Sequence, residues 1–186
     1  MKKLVLALCL AVVATSAMAA GNSNIKVSLW GDIAVAAPNN IDIVKGLDLG
    51  IGSTAKEIAG VQYDFIYANT TDDVAGVQTA WIYATTPEFK GWQSALYAKS
   101  NEFIGLQSGL VTHNTQTFAG VQWGSVNLAN SFAGVQWGFV NYAKDVNGLQ
   151  FGFVNYAQHI YGLQIGLLNI AKNGWFPAMV LVNGRF

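Results

Sequence analysis

"GVQWGFVNYAKDVNGLQFGFVNYAQHIYGLQIGLLNIAKNG", residues 134–174, states nearly the same 14-residue phrase three times. Repetition this close is expected where one structural unit packs against its own copy. Followed outward, a Gly, an apolar residue and then usually Gln recur at Gly46, Gly60, Gly76, Gly91, Gly105, Gly120, Gly134, Gly148 and Gly162. The steps are 14, 16, 15, 14, 15, 14, 14 and 14 residues. These nine units lie between a non-repeating start, residues 25–36, and a distinct end, residues 175–186, with no linker between them.

Within a unit the second, fourth and sixth positions are apolar (Leu149, Phe151, Phe153; Leu163, Ile165, Leu167). The third and fifth are Gln150 and Gly152, or Gln164 and Gly166. Period-two alternation predicts a β-strand. A polar pair follows, such as Lys144-Asp145 or Gln158-His159, and reads as a turn. An apolar residue then returns two places before each new Gly: Ile58, Val74, Phe89, Phe103, Phe118, Phe132, Val146 and Ile160. That position is expected to be buried in every unit.

Two all-β architectures use such a unit. In a repetitive parallel β-solenoid of about 14-residue coils, identical residues stand above one another about 4.8 Å apart. The stack would form columns of Gln122, Gln136, Gln150 and Gln164 and of Asn127, Asn141, Asn155 and Asn169, whose amides bond from coil to coil. Gly124, Gly138, Gly152 and Gly166 would form a third column, where the backbone turns tightly or approaches closely. The alternative is an antiparallel outer-membrane β-barrel, in which ten tilted residues cross an apolar band of roughly 25 Å. Symmetry separates the two. Successive turns of a meander lie at opposite rims, so every second unit should match best, whereas here adjacent units are near copies. Counting the start and end segments also gives eleven strands, against the even number expected of bacterial single-chain barrels. The solenoid is the preferred reading.

The first residues carry an address. Lys2 and Lys3 precede an apolar run, residues 4–14, and Ala17-Met18-Ala19 has the small-residue spacing of a signal-peptidase site. Residues 1–19 are therefore expected to be a removed signal peptide, and residues 20–186 a single repetitive domain. Cys9, the only cysteine, lies in this leader behind Leu8, too large for the residue before a lipoprotein cysteine. Without the leader, eight basic and ten acidic residues remain, a net charge of −2. This gives no basic footprint for nucleic acid. Charged residues make up 11% of the chain, against roughly 25% in an ordinary soluble domain. Something other than charge must account for its surface.

The phrase at residues 162–169, its relatives at Gly134 and Gly148, and the closing Asn173-Gly174-Trp175-Phe176-Pro177 resemble a family of bacterial exported surface-repeat proteins. The match is clearest from Gly120 onward; earlier units depart from it, with Asp48 in place of Gln and Asp64 in place of the second Gly. The chain also ends on Phe186, with Val182, Val180 and Ala178 at alternate positions. This resembles the assembly signal of outer-membrane proteins, although Gly184 stands where an apolar residue is usual. The resemblance implies export to the outer membrane or cell surface, with the periplasm as the other setting, and transfers no catalytic residue.

No motif for a nucleophile elbow, phosphate loop or zinc site occurs, so no catalytic, cofactor or metal residue is assigned. His113 and His159 lie in different units and read as polar rim residues. Asp72-Asp73 reads as a solvated turn in the 16-residue unit, the other reading being one side of a calcium site. Asp32, Asp42, Asp48 and Asp64 are scattered, and no spacing pairs them. Trp81, Trp123, Trp137, Phe139, Phe151 and Phe153 share the alternating apolar face and are expected to fill the solenoid core; exposed, they could stack sugars or meet lipid. The ranks of Gln and Asn could then face a glycan or another partner. The expected function is that of a non-catalytic structural or interaction protein of the cell envelope. The alternatives are a small outer-membrane pore or anchor, and a glycan-binding or carbohydrate-active scaffold.

Overall fold

The computed structural model describes residues 21–31, 33–34 and 41–186. The leader and Asp32 lie outside them. Among the described residues nine strands follow one another: β1 (Asn22–Trp30), β2 (Ile33–Ala34), β3 (Ile43–Ala55), β4 (Glu57–Thr70), β5 (Asp73–Ala80), β6 (Tyr83–Trp137), β7 (Val140–Phe151), β8 (Val154–Ala171) and β9 (Ala178–Arg185). The 55-residue β6 winds through about four coils without a break. Coil pairs with coil in parallel, and Gly134 aligns with Gly148, Gln136 with Gln150, and Asn141 with Asn155. Antiparallel pairing is confined to the two ends, β1 with β2 and β8 with β9. The chain is a parallel β-solenoid, and the meander of an outer-membrane barrel is overturned by this pairing.

Burial along the coil at residues 120–133 shows its cross-section. Gln122, Gly124, Asn127, Ala129 and Phe132 point inward. The alternation breaks at Ser125-Val126, at Asn130-Ser131 and from Ala133 to Val121, where successive residues face outward. Each break is a corner, so the coil has three sides. Side A carries the second to sixth positions, side B the seventh to eleventh, and side C the remainder. Side C supplies the apolar centre. Phe89, Phe103, Phe118 and Phe132 are buried and stack in register, with ring centroids 4.8, 4.9 and 5.2 Å apart, and Ile58, Val74, Val146 and Ile160 continue the column.

The glycine that opens each unit is required by geometry. Gly134 has φ of 132°, a region closed to L side chains, and an added methyl would run into the Gly120 carbonyl oxygen of the coil before. At the carboxy-terminal end β9 closes the stack, with Gly184 opposite Leu163. A methyl on Gly184 would strike the Gly162 carbonyl, which explains a glycine where an assembly signal would carry a larger residue.

Candidate functional site: an outward aromatic face

The interior of side A is polar. Gln62, Gln78, Gln93, Gln107, Gln122, Gln136, Gln150 and Gln164 are all fully buried. Each donates from Nε2 to the oxygen of the residue before it in the column: Gln136 to Gln122 at 2.7 Å, Gln150 to Gln136 at 2.6 Å and Gln164 to Gln150 at 2.7 Å. On side B, Asn127, Asn141, Asn155 and Asn169 form a second buried ladder with 2.8 Å steps. It donates toward the following coil, opposite to the glutamines. Between the two columns, Gly138 and Gly152 leave room for the asparagines; a methyl on either would lie 2.6 Å from the Nδ2 of Asn127 or Asn141, respectively. Gly124 and Gly166 occupy the same column, Gly138 lying against the Gly124 carbonyl and Gly166 against that of Gly152. Buried amides are acceptable here because nearly every one finds its partner in the next coil.

With the amides inside, side A is reversed relative to the sequence expectation. Trp81, Trp123, Trp137, Phe139 and Phe153 are exposed, and Phe151 is half-buried; none of them fills the core. The ranks of Gln and Asn face no glycan or other partner, because they are sealed in the coil. Over nine coils the outward second, fourth and sixth positions of side A comprise 27 residues. All are apolar or aromatic except the hydroxyls of Thr79, Ser94, Ser108 and Ser125, so this face carries no charge at all. The exposed charges collect elsewhere, chiefly at the corner between sides B and C (Lys56, Asp72, Asp73, Glu88, Glu102, Lys144, Asp145 and Lys172). A corner of exposed charge and a face with none make the solenoid amphipathic around its axis.

A cleft of about 1230 Å³ runs along side A, with small fifth-position residues such as Ala95 and Gly138 in its floor and Trp81, Trp123, Trp137 and Phe153 in its walls. Leu181 of β9 lines its carboxy-terminal end. Leu181 has φ of 67° and is 66% exposed. A bulky residue in the left-handed region carries backbone strain, and strain of this kind collects at functional surfaces.

The ionisable groups fall into three places. Asp48 and Asp64, which the sequence leaves scattered, lie inside adjacent coils with Lys26, and all three are buried. Asp64 is pushed up to about 8 by burial and then by the Asp48 charge, while Lys26 and Gln62 oppose the shift. Burial also raises Asp48, against a 2.6 Å hydrogen bond from Ser53, the Lys26 charge and Gln62. Lys26 donates to the Thr54 carbonyl. Enclosed in this way, the pair meets no external substrate. Asp42 is exposed and apart from them. His113 accepts from or donates to the Tyr97 hydroxyl at 2.9 Å, its pKa lowered by burial and by Lys99, whereas His159 pairs with Asp145 at the exposed corner. Glu57 joins Asp72 and Asp73, their carboxylates within 4.8 Å on an exposed turn. Phe186 is exposed beside Trp175.

Sequence reasoning assigned the columns and missed side A as a surface. A signal was present: the fourth position runs Leu49, Tyr63, Thr79, Ser94, Ser108, Trp123, Trp137, Phe151, Ile165. A stacked core cannot exchange Ser for Trp at one site without voids or clashes, whereas a surface can. Comparison with known protein families, characterised proteins and solved structures finds no match to the chain.

Proposed function

We propose that this chain is an exported, non-catalytic interaction protein of the cell envelope that works through side A of its solenoid. The observation carrying this reading is the charge-free, outward aromatic face, held open by amide ladders that take the place of an apolar core beneath it. An exposed apolar patch of this extent marks an interaction site. Nine coils at about 4.8 Å and five residues at about 3.3 Å give a rectangle of about 43 by 16 Å, or about 700 Å², beyond the roughly 300–600 Å² of the largest patch on an ordinary monomer. Glycan recognition is disfavoured, because sugar hydroxyls need convergent polar groups, whereas on this face the Thr79 hydroxyl is buried and the Ser108 hydroxyl is taken up by Trp92 and the Gln93 carbonyl. The leader supports export, and the scarcity of charge suits an envelope setting.

The test is cell fractionation combined with amino-terminal sequencing of the recovered protein. The envelope fraction should hold a chain beginning at or within two residues of Ala20. Recovery in the cytosol with Met1 retained would reject export and the envelope role together.

A further inference from the structure

We infer that side A docks on the acyl-chain and headgroup boundary of a lipid bilayer, with acyl chains entering its cleft; this rests on side A being the interaction surface. Four features point to lipid. The face has no charge, and the exposed charges lie mainly around the far corner, which would remain in water. Four of the six tryptophans, Trp81, Trp92, Trp123 and Trp137, stand on it. Among the described residues only Trp92 gives its indole N–H to a protein group, Ser108 Oγ at 3.2 Å. Such rings favour the membrane interface, where the apolar body is buried and the N–H meets headgroup oxygens or water. The cleft is long and irregular, which fluid chains can fill without a fixed complementary shape. Finally, Leu181 bears backbone strain that Gly or Asn would relieve, and what it gains is an exposed apolar side chain at the end of the cleft.

A second copy fits less well. Two such faces laid together would bury about 1,400 Å² in total, enough for an interface, but would leave the indole N–H groups dry.

The experiment uses the mature full-length chain with zwitterionic phosphatidylcholine vesicles, read by flotation and by tryptophan quenching with brominated acyl chains. The test variant is Trp123→Ser with Trp137→Ser and Phe139→Ser. Ser108 and Ser125 already occupy those columns, so the fold should tolerate it, with circular dichroism and the melting profile as controls. Expected are flotation insensitive to salt, bromine quenching, and a loss of at least tenfold in vesicle affinity in the variant. Leu181→Asn should also weaken flotation while raising thermal stability. Failure of the wild type to float or be quenched overturns the lipid assignment. So does a dimer that the triple variant makes monomeric without vesicle binding, or uptake of a single fatty acid without vesicle association. None of these outcomes bears on export, which fractionation decides separately.

Discussion

Asn141→Asp changes one atom type in the middle of a sealed ladder, and the geometry fixes what should follow. Asn141 Nδ2 donates to Asn155 Oδ1 at 2.8 Å and to the Phe151 carbonyl at 2.7 Å, while its own oxygen accepts from Asn127. The carboxylate keeps the acceptance and loses both donations. The Phe151 carbonyl still accepts from the Gly138 N–H, so Asn155 Oδ1 alone is orphaned, a loss of about 1–3 kcal/mol before any charge penalty. The new oxygen also faces those acceptors in a water-free place, which raises the folded-state carboxyl above its ordinary range. A raised acid contributes most below its unfolded value and loses that contribution as pH rises through the folded value. The variant should therefore approach the wild type in acid, where a protonated carboxyl restores one donor, and fall behind it at neutral pH. Urea denaturation of both proteins at matched pH measures the gap. With a slope of about 2 kcal/mol per molar, the neutral midpoint should drop by about 0.5–1.5 M. Equal midpoints at neutral pH, or a gap independent of pH, would refute the buried ladder.

Three further outcomes are expected. Asp64 is held near 8, so the native stability should be greatest in acid and fall as pH rises from the unfolded carboxylate range toward 8, by at most about 6 kcal/mol. Asp64→Ala, the residue at the matching place in the next coil, Ala80, should remove most of that slope in thermal melts taken against pH. Phe118→Ala opens a void in the side C stack and should cost about 3–5 kcal/mol, whereas Trp123→Ser on the surface should cost within about 0.5 kcal/mol; the reverse order in chemical denaturation would return the aromatics of side A to the core. Deleting residues 134–147 brings Gln122 against Gln150 and Asn127 against Asn155 in register, so circular dichroism should show a folded β-protein with a lower melting point, and a deletion of half that length should not fold.

The coil length, the parallel stacking and the columns were legible because each leaves a mark at fixed spacing. Gln at the third position and the apolar residue before each Gly hardly vary, since every copy meets its twin. The facing of side A was not legible from hydrophobicity, because alternation defines two faces without saying which is inside. Here the inner face is decided by hydrogen bonding between identical amides, an interaction invisible in any single coil. The association of Asp48 with Asp64 was hidden for a related reason. Sixteen residues separate them, and only the stacking of adjacent coils, with Asp64 two places further along its own, brings them together. The charge-free face follows once the amides are placed inside, since the neighbouring positions must then point out.

The direction of the glutamine ladder explains where an acid is tolerated. Each Nε2 points to the preceding coil, so the ladder presents N–H groups at its amino-terminal end, and Gln62 gives its own to Asp48. Asp48 needs only to accept there, and the coil before it supplies Lys26 at the matching register. Gln136 has no such position: it must donate to Gln122 while accepting from Gln150. Gln136→Glu therefore strands Gln122 Oε1 and places a charge in an interior stretch without a cation. Asp48→Gln keeps an acceptor for Gln62 and leaves Lys26 to be balanced by Asp64, whose carboxyl should then ionise more readily. Thermal denaturation at neutral pH should show a small change for Asp48→Gln and a loss of several kcal/mol for Gln136→Glu. Equal losses at the two sites would mean that the ladder has no preferred direction, and that Asp48 is not its terminus.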